Sequence, residues 1–138
     1  KILTLDILPN NFPIYWNSIG DNKGKRSRVE LLSGYKYLIE HYIQFIEGKS
    51  ENILRNLLLK RINLAFIDGN HFYENVLYDG NYISKNQSSG DIIVFDDYNT
   101  SFFPGVVKAA DEICLRNNYS KKIINSNEQR GYLIAQKQ

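Results

Sequence analysis

The sequence predicts an α/β protein: a mainly parallel sheet with helices on both faces, closed by an antiparallel last strand. Three observations lead there. Short apolar runs alternate along the chain with segments of helical periodicity. The apolar runs are near-continuous, as in parallel strands buried on both faces. The last two runs, 121–126 and 130–137, are separated only by "NEQ" at 127–129, close enough to pair antiparallel.

Each element has its own local reason. Residues 1–8, "KILTLDIL", carry β-branched residues and stop at Pro9, so a strand ends near Asp6. Residues 9–28 are rich in Pro, Asn and Gly and read as a long loop, of a length that is commonly functional or mobile. A helix is expected over 27–41, with Ser27 as cap, Glu30 completing a capping box, and Leu31, Leu32, Tyr35, Leu38 and Ile39 on one face. "YIQFIEG", 42–48, is a strand closed by Gly48, and Ser50 caps a short helix over 51–60. "INLAFID", 62–68, is a buried strand and 71–83 a helix. "DIIVFDD", 91–97, is a strand, and residues 106–117 form a helix after "FFPG".

Bulk composition narrows the class. At 138 residues, 43% apolar and 13% aromatic, the chain suits one domain with one core. A net charge of +2 does not mark a polyanion binder, and the basic run "KGKRSR" at 23–28 reads first as a solvated face, so no nucleic-acid partner is expected. No apolar stretch approaches the roughly 20 residues that span a bilayer, so no membrane partner is expected. No signal-peptide pattern opens the chain, and the single Cys114 cannot form an internal disulfide, which fits a reducing, cytoplasmic setting. Cys114 itself reads as an inert core thiol. The chain contains no methionine and begins on lysine, directly in a strand, so a fragment cut inside a larger domain is expected.

In open parallel sheets ligands bind beyond the carboxyl ends of the strands. Those ends carry Asp6, then Gly48, Lys49 and Ser50, then Asp68 and His71, then Asp96 and Asp97. Asp6 suits the ribose hydroxyls of a nucleotide, or a plain turn. Asp68, Asp96 and Asp97 crowd three carboxylates together, which calls for a cation or a shared proton; hard oxygen ligands suit Mg, Ca or Mn. The alternative is an Asx-turn at Asp68 and a cap at Asp97. His71, beside these acids, has the ordinary titration range of a general base, or a structural role. His41 lacks such neighbours and reads as structural. Tyr15 and Trp16 either line a substrate pocket or cover the sheet edge.

"FIDGNHFYENVLYDGNYI", then "SGDIIVFDDY", then "FPGVVKAADEI" and the closing "RGYLIAQK" resemble, in order, the class I S-adenosylmethionine-dependent methyltransferases, specifically methyltransferase family 24, with its sugar and small-molecule O-methyltransferases. The resemblance implies a Rossmann-like methyltransferase sheet whose last strand is antiparallel, in a single, partial domain over residues 1–138. It implies that the family's first strand and glycine-rich loop are missing, since no Gly-x-Gly precedes Lys1, so that the chain alone would bind S-adenosylmethionine (SAM) poorly. It implies cofactor contacts from Asp6 to the SAM ribose, from Gly48, Lys49 and Ser50 along the adenine, and from Asp68 to the SAM amino group. Asp68, Asp96 and Asp97 match the metal ligands of metal-dependent members, which use Mg2+ or another divalent cation, and His71 matches a proposed base. The acceptor implied is a small-molecule hydroxyl; a homo-oligomer is left open, as is the alternative of a catalytically inactive binding module.

Overall fold

A computed structural model describes residues 1–17, 19–125 and 130–138. Ser18 of the long loop, the strand end expected at Ser126 and the turn at 127–129 lie outside the described residues. The chain divides into two compact units, Lys1–Arg55 and Asn56–Gln138.

In the first unit β1 (Ile2–Asp6) pairs in parallel with β2 (Ile43–Glu47), in register from Ile2 opposite Ile43 to Asp6 opposite Glu47. The long loop between them closes on itself. Ile14 and Arg26 exchange two backbone hydrogen bonds of 3.0 Å, and the Trp16 indole N–H donates to the Arg26 carbonyl at 2.7 Å. The expected capping box is present at α1 (Arg28–Leu31): the Ser27 hydroxyl accepts the Glu30 N–H, and the Glu30 carboxylate accepts the Ser27 N–H.

The helix expected over 27–41 is broken. A 3-10 turn at Ser33–Tyr35 separates α1 from α2 (Lys36–Tyr42), because Ser33 and Gly34 are poor helix formers and offer no apolar anchor. The break splits the expected apolar face: Ile39 is half-buried, whereas Tyr35 and Leu38 are exposed. The next helix, α3 (Ser50–Leu54), is capped at Lys49 rather than Ser50 and ends far short of residue 60. Leu58 beyond it is wholly exposed, and a short helix with no packed face is marginal in water.

The second unit holds β3 (Leu64–Ile67), α4 (Tyr73–Lys85), β4 (Ile92–Phe95), α5 (Pro104–Arg116), β5 (Tyr119–Asn125) and β6 (Gly131–Lys137). Its sheet runs β3-β4-β6-β5. β3 and β4 are parallel; β6, last in sequence, lies between β4 and β5 and is antiparallel to both. α4 starts two residues later than expected, with Phe72 at its cap, which leaves His71 in the loop before it. Pro104 opens α5, where its fixed φ and missing N–H cost nothing.

Strand alternation sets the core. Ile67, Ile93, Phe95, Leu133 and Ala135 share one face and pack with Val76 of α4 and with Val106, Ala110 and Ile113 of α5. Gly80 lets the two helices close, since a Cβ there would run into the Ile113 side chain. β3 is not the buried strand expected: among the described residues it pairs on one side only, and Leu64 and Phe66, on the face away from α4 and α5, are 65% and 58% exposed. Cys114 is buried in this core, and that burial pushes its thiol up to about 11, in keeping with an unreactive thiol. Among the described residues no helix is long and apolar enough to cross a membrane.

Asp91, at the foot of β4, accepts four hydrogen bonds: two at 3.0 Å from the Arg61 guanidinium, one from Asn63 at 3.1 Å and one from the Ser88 N–H at 2.8 Å. The Arg61 bonds, then that of Ser88, hold its carboxyl well below the usual carboxylate range. A depressed folded-state value stabilises the fold above the unfolded value of about 3.9 and ceases to do so as pH falls further. Asp91→Asn should therefore melt below the parent at neutral pH, with the gap closing between about pH 4 and pH 2. A gap in thermal midpoint that stays constant across that range would remove the charge from the explanation.

Candidate active site

The parallel register of β3 and β4 places Ile67 opposite Phe95, so Asp68 and Asp96 leave the sheet side by side. Asp96 is buried. Its N–H donates to the Ile67 carbonyl at 3.0 Å, its Oδ1 accepts the Asp97 N–H at 2.8 Å, and its Oδ2 lies 3.3 Å from Arg130 Nη2. Asp97 has a left-handed backbone, φ 53°, uncommon for a residue with a Cβ. The next residue is pinned, since the Tyr98 N–H donates to the Gly131 carbonyl at 2.8 Å. The Asp97 carboxylate meets His71, with Nε2 to Oδ2 at 3.0 Å, while Arg130 Nε stands 3.5 Å from its Oδ1.

His71 is placed from three sides. The Asn70 side chain accepts the Phe72 N–H at 3.0 Å in an Asx-turn that leads into α4. The Phe103 ring lies 4.3 Å from the imidazole, centroid to centroid. Gly105 allows the start of α5 to touch the loop: a Cβ there would come within 2.6 Å of the His71 carbonyl oxygen. The closeness of Nε2 to the Asp97 carboxylate favours the proton on that nitrogen of the neutral ring, which leaves Nδ1 its lone pair. Beside His71 opens a cavity of about 470 Å3, walled by Asn70, Phe72, Tyr73, Phe102, Phe103 and Gly105.

The corner is short of positive charge. Partial burial, then the charges of Asp96 and Asp97, raise the Asp68 carboxyl above its ordinary value, with Arg130 and His71 opposing. Ligand atoms of Asp68, His71 and Asp97 all lie within 4.8 Å of one another. Asp96, grouped with the acids from sequence, is instead turned to Arg130 and to its neighbour's amide.

The other strand-end residues lie in the first unit. Asp6 is half-buried; its Oδ1 accepts the Leu8 N–H at 3.0 Å and its Oδ2 the Arg28 guanidinium at 2.7 Å. Gly48, at φ 141°, donates its N–H to the Asp6 carbonyl at 2.8 Å. Lys49 is exposed and Ser50 half-buried at the start of α3. Two arginines escaped the sequence reading. Arg28, read within a solvated basic run, is buried between the Trp16 and Phe45 rings as the counter-ion of Asp6. This also places Trp16 as a support of the loop. Arg130 gave no signal beyond being a cation just ahead of the last strand.

Acids at the ends of parallel strands, with an antiparallel strand inserted between neighbours, fit the sheet of a methyltransferase-like fold. A family profile described as "Methyltransferase domain" matches residues 3–98, and the chain belongs to that family. No curated protein sequence matches. Among solved structures, the O-methyltransferase NovP superimposes with a TM-score of 0.66 at 18% identity, over 98% of this chain and 59% of that one. The apo structure of CalS11, a TDP-rhamnose 3'-O-methyltransferase, gives 0.64 at 19% identity, over 96% and 58%. TomG from Streptomyces achromogenes, an O-methyltransferase in complex with SAM, gives 0.66 at 15%, over 98% and 60%. The chain spans about 60% of the length of these structures, and at such identities the likeness is one of fold.

The Gly105 contact is testable. Gly105→Ala puts a methyl group against backbone that cannot rotate away, so it should cost about 1–3 kcal/mol in denaturant unfolding and shift the His71 ring resonances. Parent-like stability and an unmoved His71 signal would show that the helix start and the loop are not in contact.

Proposed function

We propose that this chain belongs to a SAM-dependent O-methyltransferase acting on the hydroxyl of a small molecule or sugar. The observation that carries this reading is the His71–Asp97 pair, 3.0 Å apart, at the strand ends of a methyltransferase-family sheet and open to a cavity. A profile match that runs across both compact units supports their belonging to one methyltransferase domain.

His71 takes the acceptor proton at Nδ1, the nitrogen turned away from the Asp97 contact. Asp97 favours that tautomer and stabilises the imidazolium that forms. When bound, SAM would supply an electrophilic sulfonium methyl to the acceptor oxygen, with S-adenosylhomocysteine as the leaving group. Asp6 and the turn at Gly48, Lys49 and Ser50 are assigned to the ribose and adenine, and Asp68 to the amino group. Asp6 still offers lone pairs beside those taken by Leu8 and Arg28.

A divalent cation such as Mg2+ suits the same corner. Three carboxylates share this corner with Arg130 and one imidazole, and the Asp68 carboxyl is raised first by desolvation and then by the charges of Asp96 and Asp97. Asp68 and Asp97 would hold the ion, with Asp96 the third acid of the set. When bound it would lower the pKa of the acceptor hydroxyl and align it.

In the protein carrying this chain, His71→Ala should lower kcat by about 10²–10⁴-fold and leave SAM affinity nearly intact, because a base acts on the acceptor. EDTA should inhibit, and Mg2+ should restore activity. Inhibition by the mutation without any EDTA effect would leave a metal-free methyltransferase; turnover indifferent to both would end the assignment.

The ribose assignment has a separate test. Asp6→Ala should weaken SAM binding by roughly 10- to 150-fold in a calorimetric titration, the cost of hydrogen bonds to a charged group. Asp6→Asn, which keeps shape beside Arg28, controls for loop damage. Unchanged SAM affinity in both variants would take Asp6 out of the site.

A further inference from the structure

We propose that the cavity beside His71 receives a neutral aromatic hydroxyl compound, a phenol or a hydroxylated fused ring, and that Phe72 and Phe102 select it. The inference rests on the methyl-transfer reading for the fate of the hydroxyl, and on the cavity wall for the class of ligand.

The wall has large apolar surfaces and few free polar groups. Phe72 and Phe102 are 68% and 54% exposed, and with the half-buried Phe103 they line a cavity of about 470 Å3. Exposed aromatic surface contiguous with a cavity and a titratable group is the composition of a small-molecule site. Aromatic rings prefer offset or edge-to-face partners, which a planar ligand supplies.

Hydrogen bonding argues against a sugar as the group lodged here. The Tyr73 hydroxyl already donates to Glu112 at 2.6 Å, the Asn70 amide oxygen is held by the Phe72 N–H, and His71 Nε2 stands 3.0 Å from an Asp97 carboxylate oxygen. Among the described side chains of the wall this leaves His71 Nδ1, the Asn70 amide nitrogen and the lone pairs of the Tyr73 oxygen. A sugar ring brings several hydroxyls, each of which would lose water without finding a partner. One phenolic hydroxyl needs one acceptor, and Nδ1 is that acceptor.

Charge argues against a phosphorylated or carboxylated acceptor. Among the described residues no lysine or arginine lines the cavity. Lys108, the cation stacked against a lining residue, sits over the Tyr73 ring, 4.4 Å from its centroid. An anionic ligand would find no cation to pair with among those lining residues.

The test uses naphthol, naphthyl phosphate and methyl glucoside, each titrated by NMR against the protein carrying this chain, without SAM. Naphthol should bind at least about ten-fold more tightly than its phosphate ester, and methyl glucoside should show no saturable binding. Phe72→Ala and Phe102→Ala should each weaken naphthol by about 3- to 10-fold and leave the unfolding midpoint unchanged, since both rings are exposed. The inference is overturned if naphthol does not saturate, if the phosphate or the glucoside binds as well, or if naphthol affinity ignores both phenylalanines. A lowered midpoint with unchanged affinity overturns it too, by showing the rings to be packing groups. Methyl transfer, assayed separately, tells the two readings apart. Naphthol binding that depends on the phenylalanines, with no hydroxyl methylated, removes the methyl-transfer reading and keeps the ligand class. Methylated sugars with naphthol binding that ignores those rings do the reverse.

Discussion

Three carboxylates at the ends of two adjacent strands are the constraint around which the second unit is arranged. Neighbouring strands lie about 4.8 Å apart, and the register of β3 with β4 brings Asp68 beside Asp96, with Asp97 next in line. The fold answers the repulsion by giving successive acids different partners. Asp96 turns to Arg130 and to an amide one residue on, while the left-handed turn at Asp97 delivers its carboxylate to His71. Among the described residues Asp68 shows no such pairing, and desolvation, then the charges of Asp96 and Asp97, raises its carboxyl.

The answer depends on β6. Arg130 comes just before that strand and Gly131 opens it. Gly131 accepts the Tyr98 N–H, and its missing Cβ admits the Tyr98 carbonyl, which would stand 2.6 Å from any side chain there. The same strand buries Leu133 and Ala135 in the core. One segment therefore supplies the counter-charge, the anchor for the turn after Asp97 and part of the packing that holds both.

What was legible in the sequence was local or periodic. The alternation of strands and helices, the Ser27–Glu30 capping box and the acids at strand ends depend on neighbours a few residues away, and all are found in the structure. The errors came from context. Leu64 and Phe66 read as buried because they are apolar, but they alternate with Ala65 and Ile67 onto the face of β3 turned away from the core that α4 and α5 cover. A continuous helix over 27–41 followed from spacing alone, and Ser33–Gly34 interrupts it. The two arginines were missed for one reason: Arg28 pairs across 22 residues and Arg130 across 34, and no periodicity links a cation to an acid that far away. The cavity beside His71 was out of reach as well, since it forms only where α5 meets the loop before α4.

The place of β6 bears on how the protein is made. A ribosome releases β4 and β5 before the strand that separates them, so the order of synthesis is not the order of the sheet. While residues 131–137 are still in the exit tunnel, β4 and β5 have their facing edges open and the apolar surface of α5 lacks Leu133 and Ala135. Such edges pair readily with other chains. Until β6 emerges those edges stay open, and its arrival joins β4 to β5 and brings Arg130 to the corner together.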